Sequence, residues 1–397
     1  FFFGNFSDLR SSWDISNNLI HFRDRLIMPG FVDTHVHYPQ YKVIASYGTS
    51  LLEWLNKYTF VEEQRFSDEA YADQIANLFL DELIKNGTTS VMTFCTSFKQ
   101  SVEAFFNAAE NRNLRMVAGK VMMDRHAPDE LCDNPDNSYS DSKELIEKWH
   151  NKGRLRYAVT PRFAPTSSST QLNQAARLLN EYPSDDQTKG VLLQTHLNEN
   201  DEEIAWVNDL FPDSNSYFGV YEDHGITGNR SVFGHCIHNT EEEYQRMAKT
   251  GSKVSLCPTS NLFLGSGLFE LEKLESYGID VSLASDVGGG DSFSMFKVMN
   301  EAYKICRLND FNLDPIKAFY LTTLGAAKVL DMNDSIGNFE VNKEADFIVI
   351  DLNATEIISQ KNKIAMGVND ILFNLMTLGD DRLIDEVFIL GQRAYKK

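Results

Sequence analysis

From Gly30 onward the chain repeats one alternation: a short β-rich run, then a longer and mostly helical segment. Eight such runs occur, centred on residues 31–35, 88–94, 116–122, 156–160, 191–196, 231–235, 253–256 and 281–285. Short strands separated by helical segments are the signature of a parallel sheet with crossovers, because parallel neighbours cannot be joined by a tight hairpin. Eight units predict an α/β fold with a closed (β/α)8 TIM-like barrel. In that architecture the chemistry sits at the C-terminal ends of the strands, so the residues just past each run become the candidates.

The chain has 397 residues, which accommodates such a barrel over residues 29–330 together with one smaller unit. Residues 1–28 lack helical periodicity and read as one or two strands. Past residue 330 the segments 336–350 and 386–391 again read as strands joined by polar turns. Residues 1–28 and 331–397 are therefore expected to pair as a composite β-sandwich domain built from both termini. Within the barrel, residues 67–85 predict a helix with Ile75, Leu78, Phe79 and Leu83 on its inner face and Asn86-Gly87 at its end. Thr240-Glu-Glu-Glu243 predicts a capping box, which assigns those acids to a helix start rather than to catalysis.

Charge and cysteine usage narrow the partners. The formal charge is −20, from 57 acidic and 37 basic residues, and no basic stripe could track a phosphate backbone, so no polymeric nucleic acid is expected. The five cysteines (Cys95, Cys132, Cys236, Cys257 and Cys306) are scattered, without a Cys-x-x-Cys pair, which suits a reducing cytoplasm. No apolar run reaches the ~18–20 residues that span a bilayer, and none resembles a cleavage signal, so no membrane association is expected.

The first run ends in His35-Val-His37, and because strand side chains alternate, both imidazoles leave the same face. Two nitrogens converging from a rigid strand are a natural start for a metal site. Run five ends in His196, run six in His235, and run eight is followed by Asp286-Val-Gly-Gly-Gly290. Together His35, His37, His196 and Asp286 supply three nitrogens and one oxygen for a cation that also holds a water. His235 is open between a ligand, a partner that orients that water, and a satisfied core histidine.

The Pro29-Gly-Phe-Val-Asp-Thr-His35-Val-His37 opening, the histidines after strands five and six and the aspartate after strand eight resemble, in that order, the amidohydrolase superfamily, and the resemblance covers essentially the whole chain. Run four carries no lysine where binuclear members hold a bridging carboxylated one, which implies a single metal, as in the deaminase branch. His37-Tyr-Pro-Gln40, Leu51-Leu-Glu-Trp54, Tyr58-Thr-Phe60, Pro161-Arg-Phe163, His196-Leu-Asn-Glu199 and Ser285-Asp286-Val-Gly-Gly-Gly290 are similar as a set to the guanine-deaminating members.

The resemblance implies hydrolytic deamination of free guanine to xanthine and ammonia, with one Zn2+ per subunit (Fe2+ is the alternative), in a homodimer. It places His35, His37, His196, His235 and Asp286 around the metal and lets Asp286 take the first proton of the water. Glu199, three residues past His196, is the expected proton shuttle. Arg162 is expected to read the O6 and N7 acceptors of guanine, Gln40 a mixed donor and acceptor edge, and Phe163 a ring face, with Trp54 closing the pocket and Phe60 in the core. His37, His196 and Glu199 also belong to the expected substrate surroundings. The segment 120–140, with Met123-Asp-Arg-His126 and Cys132, either lines the pocket or merely connects strand three to its helix. Rivals are deamination of another purine, a pterin or a triazine, and, in a different class, a non-catalytic barrel kept as a scaffold.

Overall fold

The computed structural model describes residues 20–48, 51–185 and 188–397. Its strands are β1 (Arg25–Pro29), β2 (Phe31–His37), β3 (Thr88–Phe94), β4 (Arg115–Gly119), β5 (Val121–Met122), β6 (Arg156–Pro161), β7 (Leu192–Leu197), β8 (Ser231–His235), β9 (Lys253–Leu256), β10 (Val281–Leu283), β11 (Phe347–Asp351), β12 (Ile384–Ile389) and β13 (Gln392–Lys396). The expected barrel is present: β2, β3, β4, β6, β7, β8, β9 and β10 are parallel neighbours in that order. The two end strands meet through side chains and backbone. Asp286 N donates to His35 O (2.9 Å), and the hydroxyls of Thr34 and Ser282 lie 2.7 Å apart.

The third run, read as one strand over 116–122, is broken. The Lys120 amide donates to the Tyr157 hydroxyl at 3.1 Å instead of to a neighbouring strand. Consequently β4 and β5 are separate pieces that both pair with β6.

Apolar side chains fill the barrel floor. Val32, Met92, Val117, Ala158, Leu192 and Val232, from six strands, pack against Ala326, Ala327, Val329, Leu330, Met332 and Ile336. The helices Pro315–Leu321 and Leu324–Val329 thus lead into a plug at the end of the barrel opposite the predicted site.

Helix Glu69–Lys85 is capped by Asp68, whose carboxylate accepts from the amides of Ala70 and Tyr71. Its buried face holds Ile75, Phe79 and Leu83 as expected, together with Ala72, Ala76 and Leu80. Leu78, placed on that face from the sequence, is instead 40% exposed, because the stripe is centred on Ala76 and Leu80 and position 78 falls past its edge. The capping box over Thr240–Glu243 is present, so Glu243 is structural.

The chain ends form a separate four-stranded antiparallel sheet in the order β1-β11-β12-β13. Arg25 bridges it by pairing with Asp351 at 3.0 Å and Asp385 at 2.6 Å. Of the segment 336–350, only its last part is strand. Ile336 turns away into the barrel plug, and left-handed backbone at Gly337 and Asn342 interrupts the run. Residues 1–19 of the expected N-terminal pairing lie outside the described residues. No helix among the described residues is long and apolar enough to cross a membrane.

Candidate metal centre and base pocket

The C-terminal mouth of the barrel opens into a pocket lined by His37, Gln40, Trp54, Arg162, Phe163, His196, Glu199, His235 and Asp286, with Leu51, Leu55, Leu264 and Gly289. Every residue expected at the site is brought here; His35 lies directly behind the lining, its ring 4.7 Å from that of His196. His35 and His37 project from β2, His196 from β7 and His235 from the last position of β8. His235 and Asp286 both adopt left-handed backbone, φ +69° and +49°, an unusual conformation for residues with a Cβ that turns their side chains across the mouth.

The donor atoms converge. Asp286 Oδ1 is 3.3 Å from His37 Nε2 and 3.5 Å from His35 Nε2, and Asp286 Oδ2 is 3.8 Å from His235 Nε2. His196 Nε2 lies 3.3 Å from His37 Nε2. Outer partners fix the tautomers. His196 Nδ1 donates to Arg162 O at 2.7 Å and His235 Nδ1 to Asn261 Oδ1 at 3.0 Å, so both rings turn Nε2 inward. Burial pulls the His35, His37 and His196 pKa values down and keeps those imidazoles neutral. Burial also opposes charge on His235, but Glu199 and Asp286 outweigh it and raise its pKa. The pocket floor therefore attracts positive charge.

These residues fit a divalent cation. Two of the inward atoms, His35 Nε2 and His235 Nε2, are buried with no hydrogen-bond partner. Three neutral imidazoles and a carboxylate are a suitable donor set for zinc and other first-row metals. Cys257 lies in the same cluster, its Sγ mutually within 4.8 Å of donor atoms of His35, His235 and Asp286. Burial keeps that thiol protonated, well above its usual range, and a thiol ligates poorly.

Glu199 stands just beyond the donor set, with Oε2 3.4 Å from His235 Nε2 and Oε1 accepting from Ser266 Oγ at 3.3 Å. Burial pushes its carboxyl up to about 7; His235 opposes the shift, and Glu203 and Asp286 add to it. A carboxyl poised there can give and take protons near neutrality. Its backbone amide donates to Glu203 Oε2 at 3.1 Å, and Tyr217 OH holds Glu203 Oε1 at 2.7 Å.

Across the pocket, the buried pair of Arg162 and Glu63 joins the residue just past β6 to the helix Phe60–Glu63. Arg162 Nη1 donates to Glu63 Oε1 (2.9 Å) and Oε2 (2.8 Å), leaving the rest of the guanidinium fork unconsumed by Glu63. Gln40 Nε2 also donates to Glu63 Oε1 at 3.2 Å, and Gln40 Oε1 accepts from Gly288 N at 3.2 Å. Phe163 and Trp54 share one apolar cluster with Phe60, Met123 and Leu131. The segment 120–140 thus gives no residue to the pocket lining but backs its wall through Met123 and Leu131; His126 packs on Trp206 with ring centroids 5.2 Å apart, and Cys132 is half-buried. Phe60 is core, as expected, beneath the Arg162 guanidinium at 5.4 Å.

Sequence reasoning missed Glu63, Glu203, Cys257 and Asn261. A buried arginine demands a counter-charge, which was the only available signal for Glu63.

The barrel, with imidazoles and a carboxylate gathered at its mouth, is the arrangement of an amidohydrolase-type enzyme. The amidohydrolase family model matches residues 26–394, and the chain belongs to that family. Within it, guanine deaminase of Escherichia coli (strain K12) is 49% identical over 376 residues, covering 95% of this chain and 84% of that protein. The structure of the E. coli guanine deaminase superposes with a TM-score of 0.96 at 47% identity, over 100% of this chain and 90% of that one. Guanine deaminase from C. acetobutylicum, solved with guanine bound in its active site, gives a TM-score of 0.88 at 34% identity, over 96% of this chain and 89% of that one. An adenosine deaminase from Xanthomonas campestris with bound zinc shares the fold, with a TM-score of 0.82 at 21% identity over 93% of this chain and 80% of that one.

Proposed function

We propose that this chain hydrolyses guanine to xanthine and ammonia with a water activated by one divalent cation per subunit, zinc foremost. The residues to hold it are His35, His37, His196, His235 and Asp286. The observation that carries the reading is that one pocket contains a cation-fitting donor set, a carboxyl poised near neutrality, and an arginine-glutamine pair opposite them. The 49% identity to a guanine deaminase supports the choice of base.

When bound, the cation supplies Lewis acidity that makes water nucleophilic near pH 7. Asp286 would receive one of that water's two protons and return it through Glu199 to the ring nitrogen N3; Glu199 would carry the other, from the new C2 hydroxyl, to the departing amine, while the C–O bond forms at C2 and the C2–N bond breaks. Both carboxyl groups end as they began, and the products are xanthine and ammonia. His235, one of those holders, also lies 3.4 Å from Glu199 Oε2 and keeps that carboxyl turned toward the water. Arg162 offers its fork to O6 and N7, where adenine would present a donor amine, and Gln40 completes the edge. Phe163 stacks on the base. Trp54 closes the wall, and its buried Nε1 has no protein partner, so its N–H is available to a ligand.

All five cysteines are free, which is consistent with residence in the cytoplasm. We include in the proposal a homodimer, and a division into a barrel over 29–330 and a small unit over 1–28 with 331–397. Sedimentation and limited proteolysis test these. The decisive test of function is an assay for xanthine and ammonia from guanine, with and without chelator, beside adenine, cytosine and melamine. Turnover of guanine alone, lost with chelator and restored by Zn2+, is expected. Turnover of another base in preference to guanine, or no turnover at all, overturns the proposal.

A further inference from the structure

Glu63 is 0% exposed and does not line the pocket, yet it touches both residues that do the reading on that side. Two consequences follow from its being a carboxylate. A carboxylate accepts and cannot donate, so the end of the Gln40 amide that faces it must be the nitrogen, and Gly288 N holds the oxygen end in place. The amide can no longer flip to suit a ligand. Second, the carboxylate lies against a guanidinium that is itself only 3% exposed, so the reading side of the pocket carries two opposite charges in contact and no net charge. In a buried site an unpaired guanidinium would draw any anion strongly, and pairing removes that pull.

The substrate and product of the proposed reaction differ in this property. Guanine is uncharged at neutral pH. Xanthine has gained a second ring carbonyl and an N3–H beside it, which makes it the stronger acid and the readier anion. Resting on the guanine reading above, we infer that Glu63 is a positioning residue that makes this pocket select an uncharged purine ring and disfavour an anionic one. It acts through Arg162 and Gln40 and contacts no reacting atom. Product release gains from the same arrangement, because deprotonated xanthine finds no free cation on the reading side.

The test uses the metal-loaded enzyme and two competitive inhibitors of guanine turnover: hypoxanthine, uncharged at neutral pH, and urate, an anion at neutral pH. Glu63→Gln keeps the shape and an acceptor for Gln40 but removes the charge; Glu63→Asp keeps the charge and shortens the reach. In Glu63→Gln the ratio of Ki for urate to Ki for hypoxanthine falls by at least about tenfold, the scale of one uncompensated charged contact. The KM for guanine rises by about 10- to 100-fold, on the same basis. In Glu63→Asp the KM rises, while the inhibitor ratio stays within about threefold of the parent, since the charge pair persists. A merely structural role would move both inhibitors alike. An unchanged ratio in Glu63→Gln overturns the inference, and so does a shift toward urate in Glu63→Asp, which decides the matter if Glu63→Gln does not fold. A parent enzyme silent on guanine overturns the proposed function instead, and this inference with it.

Discussion

His35, on the first barrel strand, and Asp286, just past the last, are joined twice: Asp286 N donates to His35 O at 2.9 Å, and Asp286 Oδ1 lies 3.5 Å from His35 Nε2. The contact that closes the barrel therefore also closes the donor set. The two roles separate by substitution, because one uses backbone and the other side chain. Asp286→Asn retains the backbone bond and removes the anionic donor. Metal affinity is expected to fall by more than the ~10–100-fold typical of losing an outer partner. Unfolding free energy should change by less than about 1 kcal/mol. Metal analysis after dialysis and urea unfolding of the apo forms check this; full metal content in the variant would refute the assignment.

Glu199 gives a sharper chemical test, since it has no place in the donor set. Glu199→Gln should bind metal as the parent does and lose about 10²–10⁴-fold in kcat, the range for a positioned acid–base group. Turnover at the parental rate would remove it from the mechanism.

Much of this was legible because barrel strands carry strong local signals. The run at 231–235 coincides with β8, and that at 253–256 with β9. His35, His37, His196, His235 and Asp286 were legible for a related reason, since each falls at a strand end where the fold puts chemistry. Glu63 was not. It is one of 57 acids, and its pairing with Arg162, 99 positions away, exists only in three dimensions. The break at Lys120 was hidden likewise, because it depends on the hydroxyl of Tyr157 reaching its amide. In the terminal segments weak β patterning misled: Ile336 serves the barrel plug, and the helices Glu356–Lys363 and Val368–Leu378 left no reading at all.

Gly234 explains a small residue beside a functional one. A Cβ there would lie 2.4 Å from Cε1 of the His35 ring, so the glycine is the space that lets His35 enter the cluster. Gly234→Ala must displace that imidazole. The expected result is at least about tenfold weaker metal binding, comparable to disturbing an outer support of the ligand. The apo protein should stay folded. Wild-type metal affinity in Gly234→Ala would show that the ring has room the structure does not suggest.

Far from the site, His150 sets a pH limit on stability. Its Nε2 donates to Lys189 O at 2.8 Å while Nδ1 accepts from Tyr157 N at 3.0 Å, an arrangement only the neutral ring can make. Burial lowers its pKa from 6.5 to about 4; the Lys189 bond opposes this, and Arg156 and Arg230 add to it. With the folded value below the unfolded one, the stabilisation is fully present above about pH 6.5 and is lost as pH falls toward 4. Between pH 7.5 and 5 the loss amounts to roughly 1–2 kcal/mol, allowing for the partial exposure of the ring. His150→Gln, which cannot titrate, should be less stable than the parent at pH 7.5 but should lose correspondingly less on acidification. Urea unfolding of both proteins at the two pH values measures the difference, and equal losses would place the acid sensitivity elsewhere.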